Sequence, residues 1–173
     1  MILTRLEAVT GYRMHTPKWA VAPTSGAGAA QHGGPVNRPG VAALYLALDV
    51  ETAVKEYQQV SSLMPPGTLV SYQLTAGPIA DFRSPFDASR WGPIWEDFYC
   101  DWREIWFNQR IEPPSWIVGD ETIDAGVKGI LFQSRLSAAG TNLVLYPEIF
   151  GTGDSLTVFD PGASLPKNQD SWV

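Results

Sequence analysis

The stretch that decides the fold runs from Ser25 to Tyr57 and reads SGAGAAQHGGPVNRPGVAALYLALDVETAVKEY. It begins inside a Gly- and Pro-rich segment, Pro23–Gly40, which predicts a loop with one short helical turn at residues 28–32. The nearly all-apolar run Ala43–Leu48 then predicts a short buried strand. Asp49 is a favourable N-cap residue for a helix that starts directly after this strand. The order of elements is therefore loop, strand and helix.

The predicted helix is amphipathic and carries one carboxylate, Glu56, at the edge of its apolar stripe. Apolar residues recur at spacings of three and four from Val50 to Met64, and the two prolines that begin at Pro65 end the pattern. On this pattern alone, such a glutamate is most often a solvated surface residue. The loop–strand–helix order nevertheless brings backbone amides, the Tyr45 hydroxyl and Glu56 within reach of one cleft. Such a cleft suits a phosphate-bearing ligand.

The rest of the chain predicts strands and helices in mixed order. The predicted strands are Ala8–His15, Thr68–Thr75, Ile79–Phe82, Gly129–Phe132, Thr141–Tyr146 and Leu156–Phe159. The predicted helices are Pro93–Gln109, which is rich in aromatic residues that favour a place in the core, and Pro114–Ala125. This mixture indicates an α+β class, as a single domain with one mixed sheet over residues 1–160. We expect residues 161–173 to form a polar, poorly packed tail.

Composition and charge narrow the classes of function. The 173 residues carry a formal net charge of −6 and are 45% hydrophobic, which indicates a globular protein. The acidic balance argues against direct binding of nucleic acid, because such proteins contact phosphates through Lys and Arg. The single Cys100 allows no internal disulfide, and Cys100 with His15 and His32 does not predict a metal site. Since neither a secretory signal nor a membrane-spanning run is visible, we expect a soluble, cytoplasmic protein.

Seven motifs in their order along the chain resemble one known family, the RES domain, which is named for its Arg, Glu and Ser. The first motif combines GG-x-x-N-x-x-G, ALYL and TA-x-x-EY within the stretch quoted above. The others are YRMHTPKWA (Tyr12–Ala20), PPGTLVSYQL (Pro65–Leu74), CDWR (Cys100–Arg103), PPSW (Pro113–Trp116), KGILFQS (Lys128–Ser134) and TNLVLY (Thr141–Tyr146). Each motif is weak alone, and their common order carries the resemblance.

The resemblance implies a toxin of a bacterial toxin–antitoxin pair that consumes NAD, with a fold similar to the ADP-ribosyltransferase toxins. NAD is then a substrate, and no cofactor is implied. The bond that breaks is the nicotinamide–ribose linkage, and water, inorganic phosphate and a target protein remain open as acceptors of the ADP-ribosyl group. The implied partner is a cognate antitoxin with a helix-turn-helix DNA-binding domain, held with the toxin in a hetero-oligomeric complex.

The resemblance also implies roles for individual residues. Glu56 would hold the ribose and stabilise the oxocarbenium-like transition state. Arg13, which from sequence alone is more often a strand-end arginine, would clamp the pyrophosphate. Tyr45 would lie against the nicotinamide end of the ligand, and Ser134 would hydrogen-bond the ligand without being a nucleophile. Further contacts with NAD are expected from Asn37, Arg38 and Arg135.

One position departs from the family pattern. The family has Arg directly after the glycine pair, whereas this chain has Pro35. Arg offers five donors and a permanent charge, while Pro has neither a charge nor an N–H. We expect Arg38 to substitute in part for the missing arginine. Otherwise the chain is weakly active or inactive, and its main role would be to bind its antitoxin.

Overall fold

The computed structural model describes residues 1–170 of the chain. Strands β1 to β6 are Leu3–His15, Leu44–Ala47, Thr68–Phe82, Gly129–Gln133, Thr141–Leu145 and Ser155–Val158. Helices α1 to α3 are Ala27–His32, Val50–Gln58 and Pro114–Asp124. Short 3-10 turns lie at Pro17–Trp19, Pro93–Asp97 and Pro147–Ile149, and a π-helical turn lies at Glu104–Gln109. Helices around one mixed sheet confirm the predicted α+β class.

The six strands form one sheet in the order β1-β2-β5-β4-β3-β6. β1 also pairs along most of its length with β3, so the strands from β1 to β3 form a closed circuit. Among the strands of residues 1–170, only β3 and β4 pair in parallel. The sequence predicted two strands, 68–75 and 79–82, where the structure has the single strand β3. Its pairing with β1 continues through Ala76 and Ile79, which keeps the chain extended between them.

Apolar side chains fill two core clusters on the two faces of the central strands. β4 and β5 are buried along nearly their whole length. One cluster contains Ile130, Phe132 and Val144, and the other contains Leu131, Leu143 and Leu145. Successive residues of a strand point to opposite faces, so a strand between two cores needs apolar residues at every position. This explains the continuous apolar runs that predicted both strands.

The aromatic-rich segment after β3 does not form the single predicted helix Pro93–Gln109. It forms a 3-10 turn, a non-helical stretch and then the π-helical turn. Trp91, Trp95 and Phe98 surround Phe82, with ring centroids 4.8, 5.1 and 5.0 Å from it. The sequence predicted that these aromatic side chains lie in the core. Because they pack around the ring of Phe82, the segment does not form the continuous backbone hydrogen bonds of one long helix.

Helix α2 begins where it was predicted to begin and ends earlier. Asp49 accepts hydrogen bonds from the backbone N–H of Thr52 at 2.8 Å and from its hydroxyl at 2.7 Å. The helix stops before Gln59, which adopts a positive φ of 56°. Val60 is therefore 93% exposed and does not extend the apolar stripe. Glu56 consequently lies in the last turn of the helix.

The predicted polar tail, residues 161–173, is described as far as Asp170, and residues 171–173 lie outside the described part. Leu165 packs against the cluster that contains Leu131, and its N–H donates to Asp160 at 3.0 Å. Gln169 also donates to a backbone carbonyl near β1, at 3.1 Å. Residues 161–170 are therefore attached to the domain at a few points but are mostly exposed, and the division of the chain at residue 160 stays a prediction. No helix within residues 1–170 is long and apolar enough to cross a membrane.

Candidate active site

A cleft of about 850 Å³ opens where β1, β2 and α2 meet the loop that follows α1. Residues 98–103 and the loop between β4 and β5 complete its walls. Of the residues singled out from the sequence, those that line the cleft are Arg13, Pro35, Tyr45, Glu56 and Arg135. Those that lie outside its lining are Asn37, Arg38 and Ser134.

The Glu56 carboxylate is held through one of its two oxygens. Ser134 Oγ donates to Oε1 at 2.7 Å, and Asn142 Nδ2 donates to the same oxygen at 2.6 Å. The second oxygen, Oε2, accepts no hydrogen bond from residues 1–170. Two donors on one oxygen set the orientation of the carboxylate and leave Oε2 available for a ligand.

Ser134 acts on Glu56 and not on the cleft. Its hydroxyl oxygen accepts the N–H groups of Leu136 and Ser137, both at 3.0 Å, and so closes the turn after β4. Its only proton is donated to Glu56. A hydroxyl whose proton is already used cannot donate to a ligand, so the expected direct contact is corrected. Ser134 is a positioning residue for the carboxylate.

Arg13 projects from β1 into the lining of the cleft. Its Nη1 is buried and has no hydrogen-bond partner within the described residues, and none of the salt bridges found there involves Arg13. Burial lowers the pKa of the guanidinium, and the neighbouring Tyr72 and Tyr45 oppose this shift. An unpaired buried charge is costly for the fold. The site is therefore suited to an anionic ligand that pairs with Arg13.

His15 follows Arg13 on the same strand and is buried. Its Nε2 lies 2.6 Å from the hydroxyl of Tyr72, which donates to the carbonyl of Pro23 at 2.8 Å. Because the Tyr72 proton is used on Pro23, Nε2 of His15 must be the donor in this pair. Burial, followed by the charge of Arg13, lowers the pKa of His15 to about 4. A neutral His15 thus donates to Tyr72, and Tyr72 in turn holds the loop before α1 against the sheet.

Tyr45 and Asn37 support the glycine-rich loop from beneath. The Tyr45 hydroxyl donates to Asn37 Oδ1 at 2.7 Å and accepts the N–H of Val36 at 3.1 Å, and burial raises the pKa of Tyr45. Asn37 Nδ2 donates to the carbonyls of Ala29 and Val41 at 3.0 and 2.9 Å. Asn37 is only 1% exposed, so the expected contact with NAD is corrected to a structural role. The Tyr45 ring faces the cleft, while its hydroxyl is already used.

The glycine pair before Pro35 is required by this support. A Cβ at Gly34 would lie 2.6 Å from the Tyr45 hydroxyl and 2.5 Å from Asn37 Oδ1. Gly33 adopts a φ of +76°, which other residues rarely adopt. Both glycines allow the loop to approach the sheet closely beside the cleft.

Arg38 is occupied by two carboxylates outside the cleft. Its Nε donates to Asp120 at 3.3 Å, and its Nη2 contacts both Asp120 and Glu112. The hydrogen bond with Asp120 is the main cause that raises the pKa of Arg38. Arg38 in this position therefore does not replace the arginine that is missing at Pro35, and its expected contact with NAD stays a prediction.

Two other arginines line the rim of the cleft. Arg135, for which the sequence predicts a contact with NAD, lines the cleft and donates to the carbonyl of Tyr99 at 3.0 Å. Arg103 was missed, although it ends the CDWR motif. Its guanidinium lies 4.8 Å from the centroid of the Trp102 ring. Both side chains are exposed, so they are free to approach an anion at the entrance.

The charge of the cleft is opposite to that of the whole chain. Its lining contains Arg13, Arg103 and Arg135 against the carboxylates of Glu56 and Asp101, although the net charge of the chain is −6. Within residues 1–170, no group of three or more His, Cys, Asp and Glu side chains is arranged to hold a metal ion. A local excess of positive charge attracts anionic ligands into the cleft.

A model of the RES domain family matches residues 10–161. The chain belongs to the RES family. A RES fold is also supported by the crystal structure of the M. tuberculosis MbcT–MbcA toxin–antitoxin complex, to which the chain is similar with a TM-score of 0.67 and 22% sequence identity. That similarity covers 91% of this chain and 85% of the other chain. A search of curated proteins found no match. The RES family and its fold, both expected from the motifs, are confirmed.

Proposed function

We propose that this RES-family protein is a toxin that consumes NAD by cleaving the nicotinamide–ribose bond. The observation that most supports this is the half-buried Arg13, whose Nη1 is itself buried and has no partner within residues 1–170. The pyrophosphate of NAD supplies the missing anion. Glu56, on the lining of the same cleft, supplies the carboxylate that stabilises a sugar cation. A buried charge that weakens the fold is a feature of ligand sites.

In the proposed reaction, the bond between nicotinamide and the ribose carbon breaks. Its electron pair leaves with nicotinamide, which departs as a neutral base, and the positive charge moves to the ribose ring. Oε2 of Glu56 stabilises this cation, while Ser134 holds the carboxylate in place. An oxygen of the acceptor then bonds to the ribose carbon and loses its proton. Water, inorganic phosphate and a target protein give different products, which identify the acceptor.

The remaining cleft residues bind the central pyrophosphate and the nicotinamide end of the substrate. Arg13 holds the pyrophosphate within the cleft, and Arg135 and Arg103 contact its phosphates from the rim. The Tyr45 ring lies against the nicotinamide, where a flat aromatic surface suits a flat heterocycle. NAD is the substrate of this site, and the proposal requires no resident cofactor.

The partner that we propose is an antitoxin with a helix-turn-helix DNA-binding domain, in the cytoplasm of the same bacterial cell. MbcT is a toxin in complex with MbcA. A protein that removes NAD must be silenced in its own cell, and covering the loop 26–40 blocks the cleft. The antitoxin also supplies the DNA contact that a chain with a net charge of −6 does not favour.

Co-expression tests this partner. The chain and the small protein encoded next to it should elute together in size-exclusion chromatography, and the complex should release less nicotinamide than the chain alone. Separate elution of two folded proteins would contradict the proposed pairing.

A second candidate function is a RES-fold protein that is catalytically inactive and acts by binding its antitoxin. Pro35 favours it, because Pro35 lines the cleft and offers neither a charge nor a donor. The alternative anchor, Arg38, is bound to Asp120 and Glu112. Loss of one charge-assisted contact weakens binding by roughly 30- to several-thousandfold.

Nicotinamide release from NAD by the purified chain tests the proposed function. Glu56→Gln keeps the size of the side chain and removes its charge, so we expect the rate to fall by about 100-fold or more while the fold is kept. Glu121→Gln, on an exposed part of α3, is the matched control and should retain the full rate. An unchanged rate in Glu56→Gln would contradict the role of this carboxylate. A wild-type chain that releases no nicotinamide would favour the second candidate.

A further inference from the structure

Asn142 is a polar residue in the middle of the sheet. It lies on β5, opposite Ala47 of β2 and Phe132 of β4, and it is only 8% exposed. The residues that follow it on β5 are apolar and fully buried. Asn is unfavourable in strands, and a buried polar side chain needs partners for its donors and acceptors. Its place in a central strand therefore requires a specific explanation.

The contact with Glu56 sets the orientation of the Asn142 amide. Nδ2 donates to Oε1 of Glu56 at 2.6 Å, and a carboxylate only accepts hydrogen bonds, so the NH₂ end must face it. The other end, Oδ1, is buried and has no hydrogen-bond partner within residues 1–170. Asn142 also contributes to the lining of the cleft. Oδ1 of Asn142 therefore lacks a hydrogen-bond donor, and a bound ligand can supply one.

We infer that Asn142 contacts the substrate directly: its NH₂ group orients Glu56, and its carbonyl oxygen accepts a hydrogen bond from a hydroxyl of the ribose that carries nicotinamide. This inference rests on the proposed NAD-cleaving function. Oδ1 of Asn142 and Oε2 of Glu56 provide two acceptors on neighbouring side chains. The adjacent hydroxyls of a ribose provide two donors. The pair therefore selects ligands that carry this second ribose.

Two ligands separate this contact from a general effect on the cleft. ADP-ribose has the pyrophosphate and the second ribose, whereas ADP has the pyrophosphate and lacks that ribose. Removal of the Asn142 amide should therefore weaken the binding of ADP-ribose and leave the binding of ADP nearly unchanged. A general disturbance of the cleft would weaken the binding of both ligands together, whereas an effect that acts only through Glu56 would disappear in a Glu56→Gln background.

The experiment is calorimetric titration of ADP-ribose and of ADP into the full chain, the variants Asn142→Leu and Asn142→Ala, and the control Asn108→Leu. Asn108 also donates to a glutamate carboxylate, that of Glu104, but it is exposed and lies outside the cleft lining. Thermal unfolding shows whether each variant is folded, and the Ala variant avoids adding apolar bulk beside Glu56.

We expect both Asn142 variants to bind ADP-ribose about tenfold more weakly or worse, with ADP affinity within about twofold and the Asn108 control unchanged. Equal losses for the two ligands, or no loss, in a folded Asn142 variant overturn the inference and leave the proposed function standing. If the unsubstituted chain binds neither ligand, the proposed function fails and this inference fails with it.

Discussion

At the scale of single residues, the cleft contains groups that cost the fold stability. Arg13 Nη1 and Asn142 Oδ1 are the buried side-chain polar atoms that lack a hydrogen-bond partner within residues 1–170, and both residues line the cleft. Buried polar atoms without a partner occur in binding sites, where a ligand supplies the missing hydrogen bond. In the free protein they lower the stability of the fold. Stability and ligand binding should therefore respond in opposite directions when such a group is removed.

Arg13→Met tests this opposition. Loss of an unpaired, partly buried charge, with a similar apolar volume retained, should raise the free energy of unfolding by about 1–2 kcal/mol in urea denaturation. The same variant should lose ADP binding by about 100-fold or more, because the pyrophosphate loses its buried partner. Arg90→Met, at an exposed position, should change neither quantity much. A less stable Arg13→Met variant that still binds ADP would show that Arg13 is a structural residue.

Ser134→Ala tests the positioning of Glu56. Two backbone N–H groups lose their acceptor, so the free energy of unfolding should fall by about 1–2 kcal/mol. Nicotinamide release should fall by about tenfold or more in kcat, with KM for NAD within about threefold, because the hydroxyl does not touch the ligand. Ser89→Ala is the exposed control. A large rise in KM with an unchanged kcat would instead indicate direct contact with NAD.

The resemblance to the RES family, and not local pattern, assigned Arg13 and Glu56 to the site, and local pattern predicted only the elements that carry them. Arg13 on a strand and Glu56 on a capped helix are placed by the elements that carry them. The contact of Arg38 with Asp120 was not foreseen, since Asp120 lies 82 residues away and no local pattern shows it, and the contact of Arg38 with NAD stays untested. Asn142 was missed, although a polar residue at the start of an otherwise apolar strand was the available signal.

At the scale of elements, the start of α2 was more predictable than its end, whereas the end of β1 at His15 was predicted and its start at Leu3 was not. The N-cap at Asp49 depends on one side chain and the next turn, so it is visible in the sequence. The end of α2 depends on the positive φ of Gln59, a conformation that the residue type does not suggest. The continuity of β3 and the path of the aromatic segment depend on β1 and on Phe82, which lie elsewhere in the sequence.

The buried hydrogen bond between His15 on β1 and Tyr72 on β3 predicts how the stability of the fold depends on pH. The pKa of His15 is about 4 in the folded protein and 6.5 as its ordinary value, so between these values the unfolded chain binds a proton that the folded chain does not. Stability is therefore full above about pH 6.5 and is lost as the pH falls toward about 4. The loss from this residue is at most about 3 kcal/mol.

Thermal or urea unfolding between pH 7.5 and 4.5 measures this dependence. His15→Gln removes the titrating group, so its stability should fall less steeply with pH than that of the wild type, whatever its stability at pH 7.5. His32→Gln changes the exposed second histidine and should keep the wild-type slope. Identical slopes in all three proteins would show that His15 does not control the acid sensitivity.

At the scale of the whole molecule, an acidic chain surrounds a cleft with an excess of arginines. The closed circuit of strands places β1, β2, β4 and β5 next to one another, so residues as distant in sequence as Arg13, Glu56 and Asn142 line one cleft. This arrangement follows from long-range pairing and could not be read from composition. Pro35, where the resemblance predicts Arg, lies in the lining of this same cleft.

Nicotinamide release from NAD by the Pro35→Arg variant, alone and combined with Glu56→Gln, is the most direct test of the NAD-cleaving site. Arg at this position adds a charged group with five donors to the cleft that Arg13 also lines, and the loss of the proline ring should cost less than about 1 kcal/mol of stability. We expect Pro35→Arg to release nicotinamide about tenfold faster than the wild type or more, and the added Glu56→Gln to abolish the release. A Pro35→Arg variant that is folded and releases no nicotinamide, or a double variant as active as the single one, would contradict the account.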